Sequence, residues 1–217
     1  MPYTREHKAR THERIVSEAA RAFRVEGLDG VAVGEVMGRV GLTHGGFYAH
    51  FPSKDALVAA ACARSMDEQG ERLTAKAHNA PDGDGLRVLI EAYLDARHRD
   101  APGAGCTIPA LAAEIARASV EVRDAFTSAF TDYISRIEPF LPATPDGAAS
   151  AATEQQQDRE DMALALLAEL AGAILLARAV NDSALSDRIL AAARTFSLRA
   201  FGDNTATTAR STDQSAE

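Results

Sequence analysis

The stretch GLTHGGFYAHFPSKDALVAAA (41–61) decides the fold. Gly41 stops the segment before it, because glycine ends helices at little steric cost. Thr43 is placed to cap a short second helix running to about Phe51, and Pro52 breaks that helix. Ser53 then caps a longer one that carries Leu57 and Ala61 on one face. The short helix opens on Thr43-His44-Gly45-Gly46. Two glycines inside so short a helix cost about 1–2 kcal/mol relative to alanine, so the position calls for a reason. Small groups there suit a backbone that must approach another surface closely.

Working outward, Ile15, Ala19, Ala22 and Phe23 fall at helical spacing in a helix from Thr11 to about Glu26, which Gly27 ends. Val33, Val36, Met37 and Val40 share one face of a short segment ending at Gly41. Two short helices joined by a glycine turn have the dimensions of a helix-turn-helix, whose second helix enters a DNA major groove. Helical spacing continues through 53–77, 86–98, the stretch around Cys106–Ile115, 120–140, 158–180 and 184–201. APDGDG (80–85) and APGAG (101–105) read as turns, and 141–157 as a linker. The last residues, 202–217, hold little to bury and are expected to be disordered. The chain is expected to be all-α with about nine helices. Its division is a helix-turn-helix head (1–54), a regulatory and dimerisation body (55–201) and a tail.

Composition sets limits. Hydrophobic residues at 46% and charged residues at 25% are ordinary for a globular chain of 217 residues. No uninterrupted apolar run reaches the roughly 20 residues that span a bilayer, and the first twenty residues carry charge without a signal-peptide core. A cytoplasmic location without a membrane partner is expected. Two cysteines, Cys62 and Cys106, are too few for a disulfide framework or a cysteine-rich metal site, and no cofactor is expected. The net charge of −8 argues at first against a nucleic-acid partner. Its distribution points the other way: residues 1–60 hold 8 Lys/Arg against 7 Asp/Glu, while 61–217 hold 15 against 24. Four of the six histidines also lie in the head. A weakly basic head on an acidic body suits contact with phosphate at one end only.

The 41–61 stretch resembles the recognition signature of TetR-family repressors: Gly-apolar-Ser/Thr, a variable residue, two small residues, an apolar-Tyr pair, then x-His-Phe-x-x-Lys and an apolar helix. The resemblance implies a homodimeric operator-binding regulator and a head covering about residues 10–60. On that reading Phe47 and Phe51 pack the recognition helix onto the first helix near Phe23. Tyr48 and His50 face phosphate, Lys54 adds charge at the next helix start, and Thr43 and His44 meet base edges while Gly45 and Gly46 permit close approach. One departure is Ala32-Val33-Gly34, where family members often carry Thr and Ser with a polar residue. An arm before the first helix, with Arg5, Lys8, Arg10 and Arg14, would make up the lost contacts electrostatically.

In the body, MALALLAELAGAILLARAV (162–180) is apolar almost all round. The family uses its last two helices as a dimer interface, which this composition suits. The resemblance also implies a small-molecule effector pocket among the middle helices, for which Met66, Tyr93, Cys106, Leu111, Phe126 and Phe130 are candidates. Aromatic residues at this spacing equally suit a plain core. Gly105-Cys106 followed by AlaLeuAlaAlaGlu (110–114) looks like a subset of the family that includes electrophile and redox sensors. His98 and Arg99 nearby would favour a reactive thiolate. An enzyme is the other class considered, but phosphate-loop, nucleophile-elbow and metal-ligand spacings are missing. A helical adaptor without DNA readout, or an activator of the same fold, also remains open.

Overall fold

The computed structural model describes residues 5–142 and 152–202, and nine α-helices without strands lie among the described residues. They are α1 (Arg5–Glu26), α2 (Val33–Arg39), α3 (Lys54–His78), α4 (Gly85–Tyr93), α5 (Ala96–Asp100), α6 (Thr107–Ile115), α7 (Val120–Ile137), α8 (Ala152–Ala179) and α9 (Ser183–Gly202). The all-α expectation and the helix number hold. Two compact units divide the chain.

The first unit takes residues up to Arg72 together with Arg97–Tyr133. Its core joins Ile15, Ala19 and Phe23 of α1 to Val36 and Met37 of α2, Phe47, Phe51, Leu57 and Ala61. Leu111 and Ile115 of α6 close the same cluster, with Phe126 of α7 half-buried against it. Salt bridges brace the head outside this core. Arg39 on α2 grips the Glu26 carboxylate of α1 through both terminal nitrogens, at 2.7 and 2.9 Å. Arg64 on α3 pairs with Glu13 of α1 and, at 2.8 Å, with Glu68.

The second unit takes Leu73–Ala96 and the residues from Ile134 onward. Here α8 and α9 form an antiparallel pair. Ala163, Leu166, Leu167, Leu170, Ile174 and Ala177 of α8 and Leu190 of α9 are buried. The Ser186 hydroxyl donates to the Ala177 carbonyl at 2.6 Å, and Ser197 donates to the Glu169 carboxylate. Arg194 of α9 donates to the Leu94 carbonyl at the end of α4, at 2.8 Å.

Several boundaries differ from expectation for local reasons. The first helix begins at Arg5, six residues early: REHKAR has no breaker, and Glu6 pairs with Arg10 one turn on at 2.9 Å. The basic residues placed in an arm are therefore helical. The segment 53–77 ends one residue later than expected, whereas 86–98 is interrupted at Leu94 and Asp95, giving α4 and the short α5. Pro139 turns the end of α7 into a 3-10 turn, Glu138–Phe140. Residues 152–157, expected in the linker, belong to α8, since ATEQQQ contains no residue that stops a helix. The remainder of the linker from 143 to 151, and the tail beyond Gly202, lie outside the described residues.

Candidate nucleic-acid interface

The segment expected as a second short α-helix is a 3-10 helix, His44–Ala49. With two glycines in six residues and Pro52 ahead, it does not settle into a full α-turn. Its start closes through backbone alone: Gly46 N–H donates to the Thr43 carbonyl at 3.0 Å, and the Thr43 side chain makes no capping bond. The expected Thr43 cap is thus corrected to an uncapped extended residue. Ser53 does cap α3, accepting the Ala56 N–H at 3.0 Å. Gly41, at φ +76, turns the chain between α2 and this segment, and Leu42 N–H returns to the Met37 carbonyl at 2.8 Å.

The segment has two faces. Phe47 is the residue it buries, stacked on Phe51 with ring centroids 5.7 Å apart. His12 of α1 also stacks on Phe51, at 4.5 Å. Outward lie Thr43, His44 and Gly45, with Tyr48 68% exposed and its ring centroid 6.3 Å from that of His44. A phenol so exposed contributes little to the core, and its hydroxyl is free to meet a phosphate. Gly46 is half-buried beside Met37, and a side chain there would touch the Met37 methyl.

Gly34, the departure at the start of α2, faces His44: a side chain at 34 would meet the His44 Cβ and ring at 4.0 Å. Ala32 has no acceptor to cap α2, but Glu35 reaches back to its N–H at 3.0 Å. That interaction holds one half of a capping box.

The basic residues divide. Arg5 and Lys8 are exposed on the first turns of α1, as is Arg10 in its pair with Glu6. Arg14 instead donates to the Val40 carbonyl at 2.8 Å and ties the end of α2 to α1. Lys54, half-buried at the start of α3, lines a cavity of about 180 Å³ with Leu28, Asp55, Glu114 and Arg117. His50 is half-buried, and its Nδ1 is buried without a hydrogen-bond partner. Burial, then His12 and Lys8, hold its pKa below the usual histidine value. The folded head therefore favours neutral His50. That contribution is intact above the unfolded histidine pKa of about 6.5 and is lost as pH falls through the lower folded value. Melting temperature should accordingly drop more steeply between pH 7 and 5 in the wild type than in His50→Gln, and parallel curves would refute this.

Of the pocket candidates, Met66, Cys106 and Leu111 are buried in the first unit, where Phe126 and Phe130 are half-buried and stack at 5.9 Å. Tyr93 is buried in the second unit with Leu89 and Ile90. Cys106 is the N-cap residue of α6, and its N–H donates to His98 Nε2 at 2.9 Å. In that bond His98 accepts through an unprotonated nitrogen, so it supplies the thiol with a neutral ring instead of the expected positive charge. Arg24 is a cation near both thiols. Cys62 is buried, and its pKa is pushed up to about 12 despite that charge, which leaves it an unreactive thiol.

A short glycine-bearing segment, anchored by one phenylalanine and presenting polar residues outward, defines a helix-turn-helix DNA-binding protein. Residues 15–61 match the profile for bacterial regulatory proteins of the tetR family, and residues 84–193 match the tetracyclin repressor-like C-terminal domain. The chain belongs to the TetR family and is a DNA-binding transcriptional regulator, not an enzyme. The uncharacterized HTH-type transcriptional regulator YerO of Bacillus subtilis is 38% identical over 50 residues, 23% of this chain and 17% of that protein. The TetC protein of transposon Tn10 from Escherichia coli is 28% identical over 85 residues, 39% of this chain and 43% of that protein. These matches thus span less than half of either relative. Among solved structures, the reduced form of E. coli NemR shares the fold at a TM-score of 0.69 and 19% identity, covering 88% of this chain and 97% of that one. A regulator from Saccharomonospora viridis in complex with choline does so at 0.64 and 17%, covering 90% and 99%.

Proposed function

We propose that the protein is a homodimeric repressor that binds a palindromic double-stranded operator and leaves it when a small-molecule effector binds or Cys106 is modified. In this reading residues 1–54 bind DNA, residues 55–201 dimerise and sense, and the protein acts in the cytoplasm, where its operator is. The observation that carries it is the two-faced segment 43–51, with Phe47 buried and His44 and Tyr48 presented outward. Thr43 and His44 read base edges, Gly45 and Gly46 let the backbone approach, and Tyr48, His50 and Lys54 hold phosphate. Arg5, Lys8 and Arg10 extend that contact along α1. Two proteins that share the fold were solved as a choline complex, from S. viridis, and as a reduced form, E. coli NemR. Effector candidates within the first unit remain Met66, Cys106, Leu111, Phe126 and Phe130.

The test is anisotropy of labelled DNA flanking the protein's own gene, at two salt concentrations. Tight binding to one fragment should survive moderate salt. His44→Ala should weaken it by about 1–3 kcal/mol and relax base preference. Tyr48→Ala should weaken it on every sequence alike. Equal, salt-sensitive binding to all fragments would rule out sequence readout. Addition of thiol reagents to the bound complex tests Cys106; release that persists in Cys106→Ser assigns the response elsewhere.

A further inference from the structure

The α1 helix ends on Gly27, which at φ +82 takes the left-handed conformation and returns its N–H to the Phe23 carbonyl at 2.9 Å. The next N–H, on buried Leu28, is donated to the Glu114 carboxylate of α6 at 2.6 Å. A side chain on Gly27 would stand 3.1 Å from both Glu114 oxygens, so glycine serves the turn and the close approach of the carboxylate together. This short, charge-assisted bond joins positions 86 residues apart. The cavity lined by Leu28 and Glu114 lies beside it, so on that side the turn is backed by space and the carboxylate does the holding.

The other end of α6 is tied to the same helix. Thr107 donates to the Ser65 hydroxyl at 2.8 Å, and Arg24 of α1 donates to that hydroxyl and to the Gly103 carbonyl. Thus α6 grips α1 near Arg24 at its start and just beyond Gly27 near its end. The turn held by Glu114 leads directly into α2, whose buried Val36 and Met37 seat the recognition segment. We infer that Glu114 is a positioning residue for operator binding: its bond to Leu28 N–H fixes the α1–α2 turn, and with it the register of α2 and the segment 43–51, to α6. This rests on the operator-binding reading above.

The experiment uses full-length wild type, Glu114→Gln and Glu114→Ala, with an operator selected from a random duplex pool and a scrambled duplex beside it. Amide exchange over residues 27–33 is measured in parallel. Glu114→Ala should speed exchange at Leu28 and weaken the selected operator by about tenfold or more, with scrambled-DNA affinity and helical content unchanged. Glu114→Gln keeps an oxygen acceptor and should fall between. A general loss of stability would instead lower both affinities together and speed exchange throughout the head. Wild-type exchange at Leu28, or wild-type operator affinity in Glu114→Ala, overturns the role of Glu114 alone. A wild type that selects no sequence overturns the operator reading, whatever exchange shows.

Discussion

Replacing Phe47 with alanine should lower stability by about 3–5 kcal/mol, the range for truncating a fully buried phenylalanine. The segment His44–Ala49 has little else to hold it. Its two glycines oppose helix formation, its first residue lacks a side-chain cap, and Phe47 is the residue it buries. Packing between Met37, Phe51 and α1 therefore supplies the order that local propensity withholds. For a chain of this size the loss corresponds to a melting shift of about 6–20 °C. All DNA binding should weaken with it, because the outward residues of the segment lose their frame. Tyr48→Ala is the informative control: it should melt close to the wild type, since that side chain is mostly in solvent, yet bind operator poorly. Circular dichroism melting of both variants, beside DNA titration, separates framework from contact. A wild-type melting temperature in Phe47→Ala would show that the segment is held by something other than this ring.

The same residues explain what was legible from sequence. Period and punctuation give the helices: Gly27 and Gly41 are where elements stop, and Ser53 is where α3 starts. The division of 43–51 into an inward Phe47 and Phe51 and an outward His44 and Tyr48 follows from helical spacing, which 3-10 and α geometry share closely over one turn. The choice between those two geometries was not legible, since it depends on what Phe47 finds to pack against. Arg14 looked like an electrostatic arm because a charge does not reveal its partner; the Val40 carbonyl is 26 positions away. Glu114 was invisible for the same reason. Its motif, AlaLeuAlaAlaGlu (110–114), stands out in the sequence, but a glutamate in a short amphipathic helix gives no local sign that it will accept a backbone N–H from another element. Cys106 is legible as a residue after a turn at the start of a helix, whereas the orientation of His98 that makes it an acceptor is not.

Dimerisation gives the other large effect. On α8, Leu164, Ala168, Leu175, Leu176 and Ala179 are exposed at helical spacing, and Leu185 and Phe196 are exposed on α9. Phe196 is 60% exposed and Leu176 58%, values that are costly to leave in water when several such groups lie on adjoining helices. Gly172 lies within that stretch of α8, and a side chain there would meet open space. A mate helix would find close approach possible at that point. Within Gln155–Ala179, an 18-residue window has a mean hydropathy of 1.9, apolar enough by length and composition to cross a membrane. Its buried side nevertheless packs on α9, where Glu169 accepts from Ser197 and Ala177 from Ser186, an arrangement suited to a second copy covering the remaining face. We therefore expect Leu176→Glu with Phe196→Glu to convert a dimer of twice 23.0 kDa to a monomer in sedimentation velocity without detergent. Each charge would lie in the proposed apolar interface, where an unpaired carboxylate is strongly disfavoured. Operator affinity should then fall by about a thousandfold, because one head alone forfeits the second half-site and the high effective concentration that joins them. The heads themselves should still melt as in the wild type, since both substitutions lie in the second unit. A double variant that stays dimeric places the interface elsewhere; a monomer that keeps full operator affinity shows that one head suffices, and the palindromic reading fails.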